Sequence, residues 1–143
     1  MTIGLGMDLR NTRLQRTADV LDAQASAGHL LIYKGTRPAT GAAATPTDLL
    51  ADLPLARPVG SIENAVLTIT PPDDTNATGT GVPTWARLTD ANGNYRIDGN
   101  VGITGSGALV EMEEDSGNPG YPKSIIEGGL VIVTSASLTE GNP

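Results

Sequence analysis

The stretch TWARLTDANGNYRIDGNVG, residues 84–102, decides the fold class. Two runs rich in strand formers, residues 85–88 and 95–101, flank the polar segment Asp90, Ala91, Asn92, Gly93 and Asn94. The pattern is that of a β-hairpin. Asn-Gly is the commonest two-residue hairpin turn, because both central positions take positive φ, which Asn tolerates and Gly adopts without steric cost. Period-two alternation puts Trp85 and Arg87 on one face of the first strand and Ala86 and Leu88 on the other. In the return strand Tyr95 and Ile97 share a face, with Arg96 and Asp98 opposite. Trp85, Leu88, Tyr95 and Ile97 carry much of the large apolar volume of a chain that has no Phe, so a small core is expected on one side of this ribbon.

With 143 residues the chain is one domain's worth, long enough to bury a core without metal or disulfide support. Aromatics are only 3% of residues while Gly (18) and Pro (10) are abundant, so the core must come from small and branched aliphatic side chains. Such side chains bring little area to offset roughly 1 to 2 kcal/mol of backbone entropy per ordered residue. A marginally stable subunit that gains from assembly is the expectation. The absence of Cys excludes disulfides, thiolate metal sites and cysteine nucleophiles. No apolar run approaches the ~20 residues of a membrane span. The N-terminus also lacks the charged start and apolar stretch of a signal peptide, so a soluble, unexported chain is expected. A net charge of −7 repels phosphate backbones and anionic lipid, which leaves proteins or neutral ligands as partners and argues against nucleic acid and membrane.

Residues 1–6, MTIGLG, set Ile3 and Leu5 between glycines without a cap or charge and read as a flexible apolar arm, disordered or laid against a neighbouring subunit. Residues 7–28 form a helical segment. There Leu9, Leu14, Ala18, Val20, Leu21 and Ala25 roughly follow a 3.6-residue period, and Arg10, Arg13, Arg16, Asp19 and Asp22 fill the other side. With Asp8 as a cap and Gly28 after the end, the pattern predicts a helix over 9–27 that covers one edge of a sheet. Residues 29–140 make up the β domain. Strands are predicted at 29–34, whose continuous apolarity implies burial on both faces, and at 65–70, from 108 to 112, at 124–127 and at 130–138. In the last of these Leu130, Ile132, Thr134, Ala136 and Leu138 share a face. Residues 48–55, DLLADLPL, fit either a short helix or an edge strand, and Pro54 suits an edge. The expected architecture is mainly β, a β-sandwich or jelly-roll-like domain with one N-terminal α-helix.

Residue chemistry alone assigns no catalytic, cofactor-binding or metal residue. His29, the single histidine, stands at a strand start with no motif to supply a nucleophile or an orienting partner. Asp90, Asn92 and Asn94 have the alternate spacing of a calcium loop, but Tyr95 and Val101 occupy the positions that need Gly and a bidentate Glu. The acidic run Glu111, Glu113, Glu114 and Asp115 reads as a solvated strand edge guarded by like charge, or as a docking patch for a basic partner surface.

Four stretches in order, residues 31–41 (LIYKGTRPATG), 48–55, 84–102 and 126–138 (IEGGLVIVTSASL), resemble a family of small virion structural proteins of tailed bacteriophages. The resemblance covers most of the chain from residue 29 onward, and none of its motifs is catalytic. It implies a capsid decoration, or cement, protein without enzymatic activity or cofactor, made in the bacterial host cytoplasm and bound to the outside of the mature head. Its implied partners are the major capsid protein and copies of itself, as a trimer. Contact with the capsid or a neighbouring copy is expected from the arm and helix, through Ile3, Leu5, Met7, Leu9, Arg10 and Arg13, which lie outside the matching stretches, as does the acidic run. A tail, connector or baseplate protein is the alternative. A carbohydrate-binding or hydrolytic module fits less well, because sugar sites present exposed aromatics and this chain has one Trp and three Tyr.

Overall fold

The computed structural model describes residues 3–141. The helix α1 (Met7–Leu21) is followed by β1 (His29–Tyr33), a 3-10 turn at Pro46–Asp48, β2 (Leu49–Pro54), β3 (Gly60–Glu63), β4 (Val66–Ile69) and β5 (Thr75–Asn76). Then come β6 (Trp85–Thr89), β7 (Tyr95–Ile103), β8 (Val110–Met112), β9 (Leu130–Val131) and β10 (Ser135–Thr139). Eight strands form one hydrogen-bonded sheet in the order β2-β1-β6-β7-β8-β10-β4-β3, and β5 pairs with β9 in a separate ribbon. The expected mainly β domain with a single helix is what the chain forms. Its layers arise by curling: Leu30, Ile32, Leu50 and Leu53 from one end of the sheet join Leu67, Ile69 and Ala136 from the other in a single core with Leu14, Ala18 and Leu21 of α1. As the composition requires, the largest side chains with under 2% exposure are Leu, Ile and Val, with Asp90 the one charged member.

The helix buries Leu14, Ala18 and Leu21, a spacing of four then three that lines one side, and it packs on β3 and β4. Leu9 and Val20, which the periodicity assigned to that side, are exposed. The predicted span is also corrected at both ends. The helix starts after the uncapped Gly6, so Asp8 lies in the first turn, where a carboxylate meets the positive end of the helix dipole, and caps nothing. It stops at Leu21, not 27, because the following backbone is claimed from outside. Arg57 donates to the carbonyls of Ala25 and Asp22 at 2.7 and 3.0 Å, and the Asp22 carboxylate accepts the Val59 amide at 3.1 Å. Residues 48–55 resolve as the edge strand, with Pro54 at its end.

The central hairpin forms as β6 and β7, but its turn and faces differ from the reading above. Thr89 pairs with Tyr95 and Leu88 with Ile97, which leaves Arg96 as an extra residue in β7. That bulge reverses the alternation, so Tyr95 joins Trp85 and Arg87 on the outer face while Ile97 turns to the core with Leu88. Only Gly93 of the Asn-Gly pair takes positive φ, at 79°. The two-residue turn with both central residues at positive φ occurs elsewhere, at Asn64 and Ala65 (φ 51° and 62°), between the paired Glu63 and Val66 of β3 and β4.

Two further expectations are corrected. Residues 124–127 make no strand, only a single bridge from Ile125 to Gly81. The predicted strand over 130–138 is two pieces: β9 pairs with β5, the chain breaks at 132–134, and β10 pairs with β8 and β4. Changing partners at the break shifts the phase. Val131 and Val133 point inward with Ala136, leaving Leu130 and Ile132 60% and 52% exposed.

Candidate functional site

The outer face of the hairpin collects residues from β1, β6 and β7. Tyr33 and Trp85 stack with ring centroids 4.2 Å apart and planes 9° from parallel. The Arg87 guanidinium lies 5.5 Å from the Trp85 ring and 5.0 Å from the Tyr95 ring, and grips Asp98 through bonds of 2.7 and 2.9 Å. Its remaining reach goes to the carbonyl of Ala42 at 2.9 Å, which fastens the loop after β1 over this face. Its bonds to the Asp98 carboxylate push the Arg87 pKa further up, so the cation is fixed. Beside it Gly35, Arg37, Thr84, Trp85, Gly99 and Asn100 line a shallow cleft of about 390 Å³. The arrangement is a second, outer core that locks the hairpin.

The loop that resembled a calcium site is organised from within. The Asp90 carboxylate accepts the amides of Asn92 and Asn94, the Asn94 side chain and the Arg96 guanidinium, at 2.8 to 3.0 Å. Bonds from Asn94 and Arg96 hold its pKa down at about 2 although the group is buried. His29 pairs with Asp52 of the neighbouring strand, Nδ1 to Oδ1, at 2.6 Å.

The chain matches no protein-family model, no curated protein and no solved structure.

The arm-and-helix residues divide into bound and exposed. Arg10 donates through Nε to the Glu140 carbonyl at 2.8 Å, with Nη2 on the same oxygen, and Arg13 pairs with the Glu140 carboxylate at 2.9 Å. Both therefore tie α1 to the end of β10. Ile3, Met7 and Leu9 are exposed and Leu5 is half-buried. Of the arm over 1–6, residues 1 and 2 lie outside the described residues.

The acidic run does not form a sheet edge, because β8 lies between β7 and β10. Glu111 instead closes the short return that makes β7 and β8 parallel neighbours, accepting the amides of Gly105 and Gly107 at 2.9 and 2.8 Å. These two bonds lower its pKa, and both glycines stand at positive φ (85° and 79°), as so tight a reversal requires. Glu114 accepts the Gly120 amide and Asp115 that of Gly117, whereas Glu113 reaches Lys123 at 3.3 Å across an exposed surface.

Next to Glu113 lies a feature that the sequence reading turned inside out. Met112, Ile125, Ile126, Leu130 and Ile132 line an apolar groove of about 410 Å³, with Glu113 and Lys123 at its rim. The run LVIV at 130–133 is apolar at every position, so alternation cannot say which pair faces out. The one available signal was Gly128-Gly129 followed by Thr134-Ser135, too close together for an unbroken nine-residue strand.

Proposed function

We propose that this chain is a capsid decoration, or cement, protein of a tailed bacteriophage, which binds the outer surface of the mature head and stabilises it without covalent chemistry. The observation that carries the reading is the pairing of a closed aliphatic core with exposed apolar surface concentrated on α1 and around the 126–132 groove. A subunit that is folded alone and gains stability by occupying sites on a symmetric shell needs this combination. The resemblance of residues 31–41, 48–55, 84–102 and 126–138 to phage virion proteins supports it further.

The mechanism is linkage. A protein that binds the assembled shell and not its dissociated subunits stabilises each site by RT ln(1 + [L]/Kd), about 2.7 kcal/mol at a hundredfold excess over Kd. The test uses heads built from the major capsid protein of the same genome, heated with increasing amounts of this chain. A disruption temperature that rises and then saturates supports the proposal. Heads that neither bind the chain nor change their disruption temperature overturn it.

A further inference from the structure

Among the described residues every exposed large apolar side chain belongs to one of two sets: Ile3, Met7, Leu9 and Val20, or Tyr121, Ile126, Leu130 and Ile132. In the first set the helix supplies a stripe. Leu9, Arg13, Arg16 and Val20 follow the spacing i, i+4, i+7, i+11 and are all exposed, on the side of α1 away from Leu14, Ala18 and Leu21. The stripe is apolar at both ends and cationic in the middle, where Arg13 is paired with Glu140 of its own chain and Arg16 lies beside Val20 in a shallow groove that Arg96, held by Asp90, also lines. Ile126, Leu130 and Ile132 of the second set line the apolar groove, whose rim carries Glu113 paired with Lys123, with Glu114 and Asp115 next in the chain. Shape is opposite in kind, a convex ridge and a concave apolar surface, and the exposed Arg16 on the ridge is matched by Glu114 beside the Glu113–Lys123 pair at the groove.

We propose that the 126–132 groove is the docking site for α1 of a second copy of this chain, with Leu9 and Val20 set into the groove and Arg16 facing Glu113 and Glu114. This is helix-in-groove recognition, with apolar anchors one helical face apart and charges that fix orientation. For copies that each carry −7, a local match of opposite charge is what turns mutual repulsion into a defined contact. The contact joins unlike surfaces, so a pair keeps one free ridge and one free groove, and repeated addition closes into a ring when the rotation allows. The inference supplies the self-association that the decoration reading calls for, yet it is tested on the free protein, so either can fail without the other.

The chain has no cysteine, which makes introduced thiols unique reporters. Val20→Cys and Ile132→Cys are made as separate proteins and mixed under mild oxidation. The proposal expects a covalent dimer from the mixture, none from either variant alone, and loss of the larger species in sedimentation when Arg16→Glu is introduced. Combining Arg16→Glu with Glu113→Lys and Glu114→Lys is expected to restore it. A wild-type chain that sediments as a monomer, crosslinks confined to like variants, or an Arg16→Glu chain that associates as well as wild type would each overturn the assignment.

Discussion

Arg87 and Asp98 face each other across β6 and β7 through two parallel bonds of 2.7 and 2.9 Å, with side chains only 9% and 4% exposed. Truncating either partner strands a desolvated charge, which costs about 3 to 5 kcal/mol. Arg87→Ala and Asp98→Ala are therefore expected to lower Tm by on the order of 10 °C. Arg87→Lys is expected to recover little, because a point charge cannot make both bonds to Asp98 while staying near both rings. The single Trp, Trp85, sits in this cluster and reports the unfolding by its fluorescence.

Acid should loosen the hairpin loop at Asp90. Its pKa is held down from 3.8 to about 2 by Asn94, Arg96 and the loop amides. A carboxylate with a depressed folded pKa contributes stability that is present above the unfolded pKa and lost as pH falls through the folded one. Denaturant melts between pH 4 and pH 2 should show this loss, and the Asp90→Asn variant should be weaker at neutral pH with a flatter profile in that window.

Asn11 holds the β3–β4 turn from the helix. Its side-chain oxygen accepts the amide of Ala65, a fully buried residue at positive φ, at 2.8 Å. Asn11→Ala leaves that amide unpaired and is expected to cost about 1 to 3 kcal/mol. Hydrogen exchange at Ala65 should accelerate by more than at β6, since the change is local to the turn.

The inverted faces of residues 130–133 predict opposite outcomes for neighbours. In the dissociated subunit, Leu130→Ser and Ile132→Ser, on exposed positions, should change unfolding free energy by no more than about 0.5 kcal/mol. Val131→Ala removes two buried methyl-sized groups beside the core and should cost roughly 1.5 to 3 kcal/mol. Thermal melts of the four proteins, wild type included, check the assignment directly.

What was legible in the sequence was what local chemistry determines. The breaker residues marked the hairpin, the Leu-rich β1 and the strand at Val66–Ile69, and Pro54 favoured the edge-strand alternative for residues 48–55 without deciding it against a short helix. Errors entered where tertiary partners intervene. A single extra residue, Arg96, moved Tyr95 to the opposite face, and nothing in the period-two pattern signals a bulge. The helix was read too long because Arg57, thirty-odd positions away, takes the carbonyls that would have continued it. The acidic run looked solvent-facing, yet Glu111 does structural work for Gly105 and Gly107. The groove was hidden by LVIV, where every residue is apolar and only the change of strand partner decides which face is wet.

The central claim, that this is a protein of the head surface, is tested most directly by the copy number of the chain relative to the major capsid protein in purified virions, measured by quantitative mass spectrometry. Occupancy of every equivalent site on the shell predicts a ratio on the order of one. A ratio of a few per cent or less, on the order of a few ring-shaped assemblies per particle, would contradict it and place the chain at the portal or tail.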